Sequence, residues 1–154
     1  MLSNDLRNIA TIVGVIIALF TFLKGMIEYI RQGSQKRAEH FNTMRKKFKE
    51  NNIFKNICTL LENDDEKLKD IDFADKRDFL GFFEEIALMM NSKIIKKEVV
   101  HYMFGYYAIR CWESKNFWID VNKNSIYWSL FIEFTITMKK VEKKYKFKNS
   151  QYRF

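Results

Sequence analysis

The sequence predicts an all-α protein, made of one N-terminal transmembrane helix and a small cytosolic helical bundle. Proline is absent and only five glycines occur, so the frequent turns of a β-sandwich or β-barrel have few residues to form them. Hydrophobic residues make up 47% of the chain, which excludes a mostly disordered protein. Apolar residues also recur three or four positions apart over long stretches, as they do in helices that bury one face.

The 154 residues accommodate one membrane segment and one domain. We place the anchor at residues 1–33 and the cytosolic helical domain, with its basic C-terminal tail, at residues 34–154. The 15 Phe, 7 Tyr and 3 Trp predict that the core of this domain is built from aromatic rings.

The membrane segment begins with sixteen uncharged residues, from Asn8 to Leu23. A helix of that length covers ~24 Å of a hydrocarbon core that is ~30 Å thick. The Lys24 side chain can reach towards the headgroups, and the three residues after it are again apolar or small. We therefore expect a span from about residue 9 to residue 27.

Three other interpretations of this segment fit the sequence less well. A buried core helix is usually shorter and has a polar face. A cleaved signal peptide has a basic start and a small-residue cleavage site, whereas this chain begins with one Asp and one Arg. A surface-lying amphipathic helix needs a charged face, which residues 8–23 lack.

Basic residues set the predicted orientation. Only Arg7 precedes the segment, and seven Lys and Arg residues follow it between positions 31 and 49. Because cytosolic flanks are enriched in Lys and Arg, we expect the N-terminus outside and the C-terminal domain in the cytosol.

Small residues four positions apart form a stripe on the predicted span: Ala10, Gly14 and Ala18. Such a stripe allows the backbone of a second helix to approach closely. It predicts self-association into a homo-oligomer, although stripes of this kind also arise by chance in membrane helices.

A basic segment follows the span. Its Lys and Arg residues are Lys36, Arg37, Arg45, Lys46, Lys47 and Lys49. We expect them to contact anionic lipid headgroups, which attract cations near the bilayer surface. A solvated face is the alternative, and nucleic acid is not an expected partner. An acidic block at residues 62–78 could pair with the basic segment, within one chain or between two.

Four further helices are predicted from the spacing of apolar residues. They are Ile53–Leu61, Phe73–Met90, about Lys96–Glu113, and a last helix that Ser125 caps and that ends near Tyr145. We expect Asn52 to cap the first of these, and Asp72 or Asp75 to cap the second. Residues 126–138 are rich in Ile, Phe and Thr, so a strand is the alternative there.

The sequence predicts no catalytic, cofactor or metal site, and hence no enzyme. Cys58 and Cys111 lie in apolar helical patterns, as buried thiols in a reducing compartment do. The two histidines have no ligand spacing with either cysteine. Glu84 and Glu85 are adjacent, so on a helix they point about 100° apart and cannot face one substrate together.

Three segments resemble an uncharacterised family, a domain of unknown function, of short bacterial membrane-anchored helical proteins. They are IEYIRQ at residues 27–32, FLGFFEEI at 79–86, and FGYY at 104–107 with Trp112 and Glu113. The resemblance implies a membrane helix followed by a helical domain, at the bacterial inner (plasma) membrane. It carries over no catalytic residue, and it suggests phage defence or membrane stress as a setting.

We therefore expect a non-enzymatic interaction module that the membrane anchor holds at the cytosolic face. Its expected partners are the bilayer with its anionic headgroups, a second copy of the chain and an unidentified protein. The alternative is an oligomerising membrane effector that perturbs the bilayer. An enzyme that acts on a lipid or nucleotide is the third hypothesis.

Overall fold

A computed structural model describes residues 4–144 of the chain, with side chains described for residues 8–33 and 35–144. The part of the predicted basic tail after residue 144, and with it the predicted helix end near Tyr145, lies outside these residues.

The described residues form helices joined by short connections, and no strand occurs among residues 4–144. The all-α prediction is therefore confirmed. The α-helices within residues 4–144 are α1 (Asn4–Glu50), α2 (Asn52–Glu62), α3 (Phe73–Asn91), α4 (Lys97–Val100), α5 (Tyr106–Glu113) and α6 (Ser129–Lys144). A π-helical turn, His101–Gly105, joins α4 to α5, and two short 3-10 helices cover Glu66–Asp70 and Ile126–Trp128. The strand alternative for residues 126–138 is wrong.

Two helix caps follow the predicted chemistry, with one correction. Asp72 caps α3, and its carboxylate accepts a hydrogen bond from the Ala74 N–H at 2.8 Å. The cap of α2 is Asn51 rather than Asn52: its side-chain oxygen accepts from the N–H groups two and three residues on, at 2.8 and 3.1 Å. Asn51 has the extended backbone (φ −69°, ψ 115°) that a cap requires, and Asn52 is already helical.

The described chain groups into two units, the first ending at Ala38 and the second beginning at Glu39. The first unit consists of α1 residues, and its large apolar side chains from Ile9 to Ile30 are exposed. The second unit has a buried core of its own, drawn from residues between Phe41 and Val141.

Aromatic rings build the core of the second unit, as the composition predicts. Among the described residues, the phenylalanines with less than 2% of their surface exposed are Phe79, Phe82, Phe83, Phe104, Phe117, Phe131 and Phe134. Phe48, near the end of α1, packs between rings from several helices, with centroids 5.1 Å from Phe82 and 5.5 Å from Phe104. Offset and edge-on pairs of this kind add to the free energy gained by burial alone. The last twelve residues of α1 therefore belong structurally to the helical domain.

The helix predicted from Lys96 to Glu113 contains a π-helical turn at His101–Gly105. His101 is buried, and its ring lies directly over Gly105: a Cβ atom at Gly105 would be only 2.8 Å from His101 Cδ2. Burial lowers the pKa of His101, and the nearby Glu142 carboxylate opposes this effect. Glycine at position 105 thus makes room for a side chain of its own helix.

Charged side chains fix residues 114–125, which connect α5 to the 3-10 helix before α6. Asp64 accepts hydrogen bonds from the Ser114 hydroxyl at 2.5 Å and from the N–H groups of Lys115 and Asn116 at 3.1 and 3.3 Å. Lys123 donates to the Trp112 carbonyl and lies 4.2 Å from the centroid of the Trp112 ring. These contacts hold an otherwise irregular segment against the helices.

Lys76 of α3 is the charged residue most deeply buried among the described side chains, with 2% of its surface exposed. Its ammonium group donates to the carbonyl oxygens of Lys69 and Ile119, at 3.4 and 3.3 Å, and lies 5.8 Å from the centroid of Phe117. A single buried cation therefore ties two connections of the domain to α3.

Candidate membrane anchor and basic pocket

The first half of α1 presents an unusually apolar surface. Phe20 and Phe22 are 70% and 68% exposed, and the aliphatic side chains around them are also exposed. None of the most apolar 18-residue window in Asn8–Glu50 is buried, whereas the core helix of a soluble protein is mostly buried. This helix is long and apolar enough to cross a membrane. Exposed apolar surface of this extent marks an interaction surface or a membrane segment.

The predicted small-residue stripe lies on this exposed surface. Ala10, Gly14 and Ala18 are all exposed, and a Cβ atom added at Gly14 would meet no other atom within 4 Å. The hydroxyl of Thr21, farther along α1, donates to the Ile17 carbonyl at 2.9 Å, which satisfies its hydrogen-bonding capacity within the helix. The stripe is therefore accessible, and contact with a second helix stays a prediction.

The six predicted headgroup-binding residues divide between the two units. Lys36 and Arg37 belong to the first, and Arg37 is half-buried. The second contains Arg45, Lys46, Lys47 and Lys49, all exposed.

Two of these residues form ion pairs. Lys47 contacts both carboxylate oxygens of Glu85 at 3.3 Å, and Lys46 lies 3.9 Å from Glu50. The pairing with α3 therefore uses Glu85, which lies outside the acidic block at residues 62–78. Exposed pairs such as these contribute ~0–1 kcal/mol to stability.

A pocket of about 480 Å³ lies in the second unit, between the end of α1, the start of α2 and the π-helical turn. Its lining residues are Arg45, Phe48, Lys49, Lys55, Cys58, Thr59, Met103, Phe104 and Tyr107. Two of its cations, Arg45 and Lys49, are among the residues that the sequence predicts to bind headgroups, and Lys55 is not. The apolar residues that line the pocket were not predicted, since they come from segments more than forty residues apart that only tertiary packing brings together.

The two cysteines lie in environments that suppress thiol reactivity. Burial raises the pKa of Cys58 to about 12, and the nearby Glu62 carboxylate adds to this effect. Cys111 is completely buried, and burial raises the pKa of its thiol as well. A nucleophilic cysteine requires the opposite shift, because the thiolate is the reactive form. Among residues 4–144, no group of three or more His, Cys, Asp or Glu side chains is placed to hold a metal ion.

Glu84 and Glu85 occupy different environments, as their adjacency on a helix predicts. Glu85 is exposed and pairs with Lys47. Glu84 is half-buried, and burial raises its pKa although a backbone hydrogen bond from Phe131 opposes the shift. The two carboxylates therefore do not share one site.

Comparison with known sequences places this architecture in a family. The profile of a domain of unknown function (DUF4760) matches residues 8–141, which include the apolar part of α1 and nearly all of the helical domain. The chain belongs to this family. Neither a curated protein nor a solved structure matches it. The DUF4760 match confirms the predicted resemblance to an uncharacterised family, and the family description names no activity.

Proposed function

We propose that this chain is a non-enzymatic, single-pass membrane-anchored interaction module at the cytosolic face of a bacterial inner membrane. The observation that carries the proposal is the exposed apolar window of α1, none of which is buried. Transfer of apolar surface out of water releases ~25 cal/mol per Å², so a helix with this composition gains by entering hydrocarbon.

The difference in burial between the two units supports separate roles, attachment for the first unit and partner binding for the second. The second unit encloses its own aromatic core, from Phe41 to Val141. A domain with a complete core remains folded as a rigid surface for a partner, while the apolar helix supplies the attachment.

The charge distribution supports an orientation with the domain in the cytosol. Eight basic and two acidic residues lie between positions 31 and 55. Lys36, Arg45 and Lys49 are exposed, so they are available to anionic headgroups. Each such cation near a charged leaflet contributes ~1 kcal/mol of attraction.

Membrane fractionation tests the anchor. The wild-type chain, expressed at low level, is expected in the membrane pellet after carbonate washing. The double variant Ile12→Lys with Ile16→Lys is expected in the supernatant, because each charge in mid-span costs ~3 kcal/mol. Thr43→Lys with Asn42→Lys adds the same charge outside the apolar window and should leave the chain in the pellet. Wild-type protein in the supernatant would overturn the proposal.

Cysteine accessibility tests the orientation. A single cysteine at position 3, in a background with Cys58→Ser and Cys111→Ala, should react with an impermeant maleimide in intact cells. A single cysteine at exposed Lys140 should react only after lysis. The reverse pattern would place the domain outside.

The accessible stripe on α1 favours a second candidate function, an oligomerising membrane effector in phage defence or membrane stress. Induced expression with a membrane-potential dye separates the two. Depolarisation that Gly14→Leu abolishes, while Val15→Leu on a different face of the helix does not, would establish the effector. Normal potential with wild-type chain in the membrane supports the adaptor.

A further inference from the structure

We propose that the pocket between α1, α2 and the π-helical turn binds an anionic amphiphile with a single acyl chain, of the fatty-acid class. This inference goes beyond the proposed function and does not depend on the anchor, because all the lining residues lie between positions 45 and 107. It rests on two independent features of the pocket: an apolar wall and a cationic rim.

Apolar side chains form the wall. Phe104 and Cys58 are buried, and Phe48 and Met103 are partly buried, so each presents an edge to the pocket. The volume of about 480 Å³ is in the lower half of the range, ~300–1,000 Å³, that small-molecule sites occupy. Methionine next to aromatic rings makes an adaptable wall, which suits a flexible hydrocarbon chain.

Three cations form the rim. Arg45 and Lys49 are four residues apart on α1 and therefore lie on one face of the helix, and Lys55 comes from the first turn of α2. Among residues 8–33 and 35–144, no carboxylate lies within ion-pair distance of any of the three. By contrast, Lys46 and Lys47, which lie between Arg45 and Lys49 in the sequence, are paired.

Like charges that line one pocket without a counter-ion repel each other, and a bound anion would offset that repulsion. A carboxylate held at the rim with its acyl chain along the wall satisfies both features at once. The Tyr107 hydroxyl faces Glu62, and burial together with this carboxylate raises the tyrosine pKa. This end of the pocket is therefore unfavourable for the anion, which places the headgroup at the rim made by Arg45, Lys49 and Lys55.

Photoaffinity labelling of the full-length chain tests the site. The probe is palmitate that carries a diazirine in its chain, added to protein in zwitterionic nanodiscs. We expect saturable labelling of peptides that contain Phe48, Met103 or Tyr107, and its loss on addition of unlabelled palmitate. Labelling of the apolar part of α1 should not saturate. Labelling confined to that part, or labelling of the pocket that does not saturate, would overturn the inference.

Charge variants test the rim. The triple variant Arg45→Gln, Lys49→Gln, Lys55→Gln should raise the half-saturating palmitate concentration about tenfold or more, which corresponds to about 1.4 kcal/mol. A matched variant with three exposed lysines changed elsewhere, Lys67→Gln, Lys140→Gln, Lys143→Gln, should leave it unchanged. Equal effects of both variants would mean a general attraction by net charge and would overturn the site.

Two further measurements identify the ligand class. Thr59→Trp adds bulk at the pocket wall without changing charge, and should abolish saturable labelling while the circular dichroism spectrum is retained. A hexadecanol analogue of the probe, which lacks the carboxylate, should label the pocket at least tenfold less well. Displacement of the palmitate probe by inorganic phosphate at similar concentration would show a simple anion site and overturn the amphiphile assignment.

Discussion

The Asp64 carboxylate, in the turn after α2, lies 2.5 Å from the hydroxyl of Ser114, fifty residues later at the end of α5. The Asn116 side chain also donates, to the Asp64 backbone carbonyl at 2.6 Å, so both the side chain and the main chain of Asp64 accept hydrogen bonds from residues 114–116. Asp64 itself has a positive φ of 48°, a conformation that Asp tolerates better than most residues. This contact sets where the connection between α5 and α6 begins.

Replacement of Asp64 by Ala should destabilise the domain by ~2 kcal/mol, since three hydrogen bonds to a charged acceptor are lost. Urea denaturation, followed by tryptophan fluorescence, measures the change. Glu133→Ala, at an exposed position of α6, should change stability by less than ~0.5 kcal/mol. An Asp64 variant as stable as the wild type would show that the contact does not stabilise the fold.

The Asp64 contact should also make stability depend on pH. Burial raises the pKa of Asp64, but hydrogen bonds from Ser114, Lys115 and Asn116 outweigh it, so the net pKa is lowered from 3.8. The contribution is therefore fully present above pH 3.8 and is lost as the pH falls through the lower folded-state pKa. The difference in unfolding free energy between wild type and Asp64→Asn should shrink below pH 3.8. A difference that grows instead would contradict the sign.

Replacement of Gly105 by Ala should destabilise the domain by ~1–3 kcal/mol, because the new methyl group overlaps the His101 ring. Gly81 provides the matched control: a Cβ there meets nothing within 4 Å, so Gly81→Ala in α3 should raise stability by ~0.5–1 kcal/mol. Gly105→Ala should cost less free energy of unfolding in a His101→Ala background than in the wild type, because the ring that the new methyl group overlaps is then absent. Additive effects in this cycle would mean that the two side chains do not compete for space.

Replacement of Lys76 by Met should cost ~1–3 kcal/mol, because the carbonyls of Lys69 and Ile119 lose their shared donor in a buried site. Lys76→Ala should cost more, since it also leaves a cavity. Lys140→Met, at an exposed position, is the control. Thermal unfolding should give the highest melting temperature for Lys140→Met, a lower one for Lys76→Met and the lowest for Lys76→Ala. A Lys76→Met variant as stable as Lys140→Met would show that the ammonium group of Lys76 is dispensable.

Neither thiol should react with iodoacetamide at pH 8 in the folded protein. Burial raises the pKa of Cys58 to about 12 and raises that of Cys111 too, so almost no thiolate is present. Both should react in 8 M urea, at rates typical of exposed cysteine. Mass spectrometry of the alkylated peptides measures the difference. Rapid labelling of Cys58 in the folded state would mean that the pocket opens to water more than the structure shows.

The periodicity of apolar residues located the helices of the second unit well, because each of them buries one face against the same core. Local capping chemistry was also readable: Asp72 was one of two predicted caps of α3. The predicted cap of α2, Asn52, was wrong by one residue, because Asn51 and Asn52 are identical neighbours and only their backbone angles decide which one caps the helix.

Features that depend on three-dimensional packing were not readable. In the π-helical turn at His101–Gly105, a buried ring occupies the space that a Cβ atom at Gly105 would need. Ile126 fits the predicted apolar pattern but is 80% exposed, because the chain there forms a 3-10 helix before α6 begins. The ties made by Asp64 and Lys76 join segments more than forty residues apart, and no local pattern announces them.

Phe48 belongs to the same helix as the exposed apolar segment, yet its ring lies among the core rings of the domain. A truncated fragment that starts at α2 would lack this ring together with Phe41 and Met44, and would open a hole in its core. Any protease cut that releases the domain intact must therefore fall before Glu39. A soluble version of this protein has to keep the last three turns of α1, which the predicted domain of residues 34–154 includes.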